Sequence, residues 1–202
     1  MLVVALVAVA AGAAVAALLL AGGQRQALPP ILGAVPDFTL TERSGQPVGR
    51  ADLAGGPWIA NFVFTRCSGM CPALSSRMAD LRHRVADAGL RARFVSFSVD
   101  PTHDTPEVLR EYAPRVGAAG DDWLFLTGTR DALYDLIGSG FRLSVAERPA
   151  SAVAAEGGEL IAHSDRFVLV DGAGQIRGYY HGLDAGMPDE MVRDLAALAG
   201  ER

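Results

Sequence analysis

At 202 residues, half of them hydrophobic and a fifth charged, the chain has the make-up of one globular domain with a short appendage. A net charge of −5 gives no overall electrostatic case for nucleic acid or for an anionic membrane surface, and nucleic acid is not expected as a partner. All 18 basic residues are arginine, which also excludes Walker-type phosphate loops and Schiff-base chemistry, since both need a lysine.

In chain order, residues 1–23 read as a transmembrane anchor. From Leu2 to Ala21 every residue is apolar or glycine, and a helix of about 20 such residues spans roughly the 30 Å of a bilayer's hydrocarbon core. A cleaved signal peptide is the competing reading, because Ala21, Gly22 and Gly23 are small. Such a signal has a shorter apolar stretch of about 7–15 residues and a basic start, which is missing here. Arg25, just after the run, would be cytoplasmic under the positive-inside rule. The cysteine chemistry below argues for export instead. Residues 24–36 contain Pro, Gly and Gln and read as a linker; residues 37–202 form the domain.

Within the domain, Phe38 to Leu40 is expected as a short edge strand and Trp58 to Phe64 as a buried one, rich in β-branched and aromatic residues. Leu74, Met78, Leu81 and Val85 share one face of a helix predicted from Pro72 to Ala88 and stopped by Gly89. Phe94 to Val99 is a strand ending at Asp100-Pro101, and Thr105-Pro106 starts the next helix as cap and first helical residue. Trp123 to Thr127 is a strand and Asp131 to Ile137 a helix. Phe167–Val170 and Gln175–Tyr180 flank Asp171-Gly172-Ala173-Gly174 as a hairpin, and a helix from Asp189 to Ala199 closes the chain. This order predicts an α/β fold with parallel central strands, flanking helices and an antiparallel hairpin at one edge. A strand running into Cys67 and then a helix is the thioredoxin-like topology.

The two cysteines stand four apart in Cys67-Ser68-Gly69-Met70-Cys71, at that strand-to-helix corner. Unpaired N–H groups at a helix start favour thiolates, and Arg66 adds positive charge beside them. Thiolates serve both disulfide exchange and soft-metal binding. Three intervening residues, against two in a thioredoxin motif, widen the bite toward a metal without excluding a disulfide. An inert clasp is the bland alternative, and closing so short a loop it would contribute little.

A metal needs a third ligand. His83, between Arg82 and Arg84, reads as a surface residue, His103 as a loop residue and His181 as a turn residue. His163 lies in a Gly- and Ala-rich stretch leading into a strand, where a flexible loop can fold over the cysteines. Two thiolates and one imidazole are a soft set suited to Cu(I) and less strictly to Cu(II). Zinc, which normally takes four protein ligands, is second choice.

Four segments then resemble the Sco/SenC family of copper chaperones for cytochrome c oxidase assembly. They are Asn61-Phe62-Val63-Phe64-Thr65-Arg66-Cys67-Ser68-Gly69-Met70-Cys71-Pro72, Ser98-Val99-Asp100-Pro101-Thr102-His103-Asp104-Thr105-Pro106, Trp123-Leu124-Phe125-Leu126-Thr127-Gly128, and His163-Ser164 followed by Phe167–Asp171 and Gly174. The resemblance implies a thioredoxin-like fold behind an N-terminal membrane helix, with one copper ion held by Cys67, Cys71 and His163. It implies delivery of that copper to the dinuclear copper site of an oxidase subunit or another cuproprotein, and loading by an upstream copper donor. A working cysteine pair must stand outside a reducing cytosol, which places the domain in the periplasm or an equivalent space. Asp100 matches the family's acidic residue near the site. The alternative it leaves open is a thiol–disulfide oxidoreductase in which Cys67 and Cys71 reduce the subunit's cysteines. Where the family usually has proline after the first cysteine this chain has Ser68, which loosens the loop; Met70 is a weaker candidate soft ligand.

Overall fold

The structure, a computed structural model, describes residues 27–67, 69–118, 120–149, 151, 153 and 161–200. The predicted anchor and Ser68 lie outside the described residues, among which no helix is long and apolar enough to cross a membrane.

The strands are β1 (Gly33–Ala34), β2 (Thr39–Glu42), β3 (Pro47–Gly49), β4 (Trp58–Val63), β5 (Arg93–Ser98), β6 (Trp123–Thr127), β7 (Val145–Glu147), β8 (Ile161–His163), β9 (Arg166–Val170) and β10 (Gln175–His181). The helices are α1 (Cys71–Asp87), α2 (Pro106–Arg115), α3 (Arg130–Asp135), which runs on into a wider turn over Leu136–Gly140, and α4 (Met187–Ala199). Eight strands form one sheet in the order β1-β10-β9-β4-β5-β6-β2-β3, and β7 pairs with β8 in a separate two-stranded sheet. β4, β5 and β6 are parallel neighbours, as expected, and every residue of β4 is buried. A strand covered on both faces must read as a continuous apolar run, which is why Trp58–Val63 shows no alternation.

Helices α1, α2 and α4 cover one face of the sheet; Leu74, Met78, Leu81 and Val85 of α1 meet Met187, Met191 and Leu195 of α4 there. On the other face Trp58, Phe62, Phe97 and Phe141 pack with ring centroids 5.3–6.4 Å apart, beneath Leu133 and Ile137. Thr105 and Thr129 cap α2 and α3 by accepting the Val108 and Ala132 N–H groups.

Three expectations need correction. The strand expected at an edge over Phe38 to Leu40 is β2, which lies inside the sheet between β6 and β3. The β9–β10 hairpin is not at the sheet edge: β9 pairs with β4, and β1 covers the outer side of β10. The stretch read as linker is docked from Pro29 onward. The Leu32 and Val35 N–H groups donate to the Ile176 and Gly174 carbonyls, and the Arg177 Nε donates to the Pro29 carbonyl at 2.9 Å. Arg177 is itself buried and paired with Asp171 at 2.9 Å, so its guanidinium supplies a donor to a segment that short, Pro-rich composition made look free.

Candidate metal centre

Strand β4 carries the chain out of the core through Phe64 and Thr65 to Arg66 and Cys67, and α1 begins at Cys71. Met70, in front of the helix, offers no capping side chain. Instead the Cys71 N–H donates to Cys67 Sγ at 3.3 Å, so the first sulfur occupies the place a capping oxygen would take. Both cysteines are recessed, at 9% and 1% exposure, and their sulfurs are not bonded to each other.

The two residues before Cys67 are clamped from the loop after β5. Asp104, fully buried, accepts the Thr65 hydroxyl at 2.6 Å, the Thr65 N–H at 3.2 Å and the Ser98 hydroxyl at 2.7 Å. Burial pushes its carboxyl above the ordinary value, and the hydrogen bonds from Thr65 and Ser98 oppose that rise only in part. Asp100, also buried, takes Arg66 through Nε at 3.1 Å and a terminal nitrogen at 2.6 Å, and accepts the Thr102 hydroxyl at 3.0 Å. Ser98 joins the two acids, since its hydroxyl oxygen also accepts the Asp100 N–H at 3.0 Å. The charge expected from Arg66 at the thiols is therefore spent on Asp100: a carboxylate removed from water needs its counter-charge in contact.

His163 arrives from the other side. It ends β8, a strand rather than the predicted flexible loop, opposite Val145 in the β7–β8 ladder. Its ring meets the Phe64 ring edge-on at 5.8 Å. His163 Nδ1 lies 3.0 Å from the Ser164 carbonyl oxygen. A carbonyl only accepts, so Nδ1 carries the proton and Nε2 presents its lone pair, the tautomer a metal-ligating imidazole needs. Nε2 faces Cys71 Sγ at 3.5 Å.

The fold thus brings Cys67, Cys71 and His163 to one corner, with Asp100 one residue further out behind Arg66. The other histidines are elsewhere in role: His83 and His103 are exposed, and His181 pairs with Asp165 at 3.1 Å. Among the described residues no three His, Cys, Asp or Glu groups stand clustered as a ready cage. The Cys71 N–H meets Cys67 Sγ and the Cys71 Sγ meets His163 Nε2, with Cys67 Sγ turned to the helix amide. Thr65, Ser98 and Asp104 stand inside the segments that resemble the family, but the sequence reading gave them no role, because polar residues bordering an apolar strand look like ordinary loop residues.

A sequence model of the family described as SCO1/SenC matches residues 32–200. The chain belongs to the SCO1/SenC family. It is 30% identical over 182 residues to the SCO1 protein homolog of Bacillus subtilis, covering 90% of this chain and 91% of that one. Among solved structures it is similar to BsSco, a member of the Sco family of cytochrome c oxidase assembly proteins in which a disulfide switch has been identified. That likeness has a TM-score of 0.76 at 28% identity, over 88% of this chain and all of that one. Yeast Sco1 with copper bound matches at a TM-score of 0.64 and 26% identity, over 83% of this chain and 90% of its own. The SCO1/SenC fold is the expected thioredoxin-like one, with a hairpin and its β1 strap added to the sheet. Copper-bound structures and oxidase assembly are thus associated with the family to which the chain belongs.

Proposed function

We propose that this protein is a copper metallochaperone that binds one copper ion through Cys67, Cys71 and His163 and hands it to the dinuclear copper site of a cytochrome c oxidase subunit. The observation that carries the reading is the 3.5 Å approach of His163 Nε2, lone pair forward, to Cys71 Sγ from a separate element. Two sulfurs and one imidazole nitrogen are a soft, three-donor set that favours Cu(I). Copper is cargo here, taken from an upstream donor and released by exchange of one protein ligand at a time for a partner's thiolates. Residues 2–21 would hold the domain at the membrane with the site on the periplasmic side, where thiol chemistry is not suppressed by a reducing cytosol.

The disulfide switch of BsSco favours a second reading. The Cys67 thiolate attacks one sulfur of a partner disulfide, and the partner's other sulfur leaves as a thiolate. Cys71 then displaces the partner from the mixed disulfide, leaving Cys67 and Cys71 bonded and the partner reduced by two electrons. An anaerobic Cu(I) titration of the reduced protein against a competing chelator separates the two. One-to-one binding that weakens in Cys67→Ser, Cys71→Ser and His163→Ala alike supports the chaperone. Binding indifferent to His163, with reductase activity lost only in the cysteine variants, overturns it in favour of exchange chemistry.

A further inference from the structure

Of the five large hydrophobic side chains exposed among the described residues, three fall together at Leu28 (43%), Ile31 (61%) and Leu32 (41%). They cannot retreat into the core, because the strap that carries them is fixed by the Leu32 and Val35 backbone bonds and by Arg177 on the Pro29 carbonyl. Leu32 shares a shallow cleft with Arg142, Leu143, Arg166 and Tyr179. Both guanidiniums bond there only to backbone carbonyls among the described residues, Arg142 to Leu32 at 3.4 Å and Arg166 to Tyr179 at 3.5 Å. An exposed apolar strap, with Leu32 beside two arginines that have no carboxylate partner among the described residues, matches an interface of acyl chains under phosphates.

Chain length selects that occupant over a protein. The apolar run ends at Ala21 and the strap is first tied to the domain at Pro29. Eight residues reach at most about 27 Å, so a spanning run keeps this edge of the domain close to the bilayer surface. We propose that Leu28, Ile31, Leu32, Arg142 and Arg166 form a lipid-facing surface that lays the β1 edge of the domain on an anionic membrane. This rests on the anchor reading of the N-terminal run. The domain is then not free on a tether. Arg166 belongs to the patch and lies three residues from His163, so the metal site is held near the membrane plane.

The test uses the full chain reconstituted into vesicles containing brominated lipids, with single tryptophans as reporters. The native Trp58 and Trp123 are buried and give a common background. Ile31→Trp reports the proposed surface, and Gln46→Trp reports the exposed turn between β2 and β3 at the opposite edge of the sheet. The surface predicts at least twofold stronger quenching at position 31 than at 46, rising with the fraction of phosphatidylglycerol and weakened by Arg142→Glu. Equal quenching at both positions, in protein that has incorporated into the bilayer, overturns the surface. Quenching at 31 that ignores lipid charge overturns the role of the arginines. A chain that fails to incorporate at all overturns the anchor reading instead.

Discussion

The two halves of the candidate site are built differently. Cys67 hangs from β4, which is hydrogen-bonded on both sides within the eight-stranded sheet, and its two preceding residues are gripped by Asp104 and Asp100. His163 hangs from a two-stranded ladder that, among the described residues, is separate from the main sheet, and it meets Phe64 and Cys71 at the corner. The arm joins the core by packing, through Ile161 and Val145, and not through the main sheet ladder, so the His163 side has fewer ties to break on opening than the Cys67 side. That is what a protein needs if it must release a soft metal that three ligands together would hold tightly.

If this contrast is right, the largest effect on stability comes from the rigid side. Asp104→Ala strands the Thr65 N–H and two hydroxyls in a buried place, and is expected to cost about 3 kcal/mol. Thermal unfolding should show a midpoint roughly 10 °C lower. Because burial raises the Asp104 carboxyl above 3.8, the folded protein holds this proton more tightly than the unfolded chain. Its contribution to stability is therefore greatest at acid pH and falls as pH rises through that raised value. The gap between native protein and Asp104→Ala should shrink toward neutrality, and a gap that widens would show that the hydrogen bonds outweigh burial.

Next in size is Ile161→Ala, which empties a buried position on the His163 arm and is expected to cost about 2 kcal/mol. The cost should be local. Amide exchange should accelerate in β7 and β8 while β4 and β5 stay protected, and acceleration spread evenly over the sheet would break the comparison between the two sides.

Much of the rigid side was legible in the sequence. A central parallel strand buried on both faces announces itself as an unbroken apolar run, and Trp58–Val63 did so. The spacing of Leu74, Met78, Leu81 and Val85 likewise gave the α1 face that is buried. The strap and the His163 arm were not legible. Their strands are two or three residues long, too short for any periodicity, and their pairing is decided by partners more than a hundred residues away or across a loop. The paired acids fell between these cases. Asp100 was singled out, yet nothing local reveals that it would take up the charge of Arg66, because that pairing spans 34 residues. Cys67, Cys71 and His163 were named as candidate ligands by chemistry and by resemblance, and the fold brings them to one corner without clustering them as a ready cage.

Smaller still is Asp100→Asn. It frees Arg66, whose side chain is half exposed, so screening limits the loss to about 1 kcal/mol or less. The amide keeps an oxygen for the Thr102 hydroxyl. Urea midpoints at low and high salt should differ from the native protein mainly at low salt. A large loss independent of salt would mean that Asp100 acts through its buried hydrogen bonds instead of its charge.

The smallest effect on stability is the most informative one. His163 is only partly buried and stands at the end of a three-residue strand, so His163→Ala should change the unfolding free energy by less than about 0.5 kcal/mol. Copper affinity should nevertheless fall by at least about tenfold, because one of three donors is gone. A variant that loses affinity without losing stability places His163 on the releasable side of the site. One that loses both in step would mean that the arm and the cysteine corner form a single rigid unit, and release would then have to begin at Cys67, where the sulfur already has the Cys71 N–H to return to.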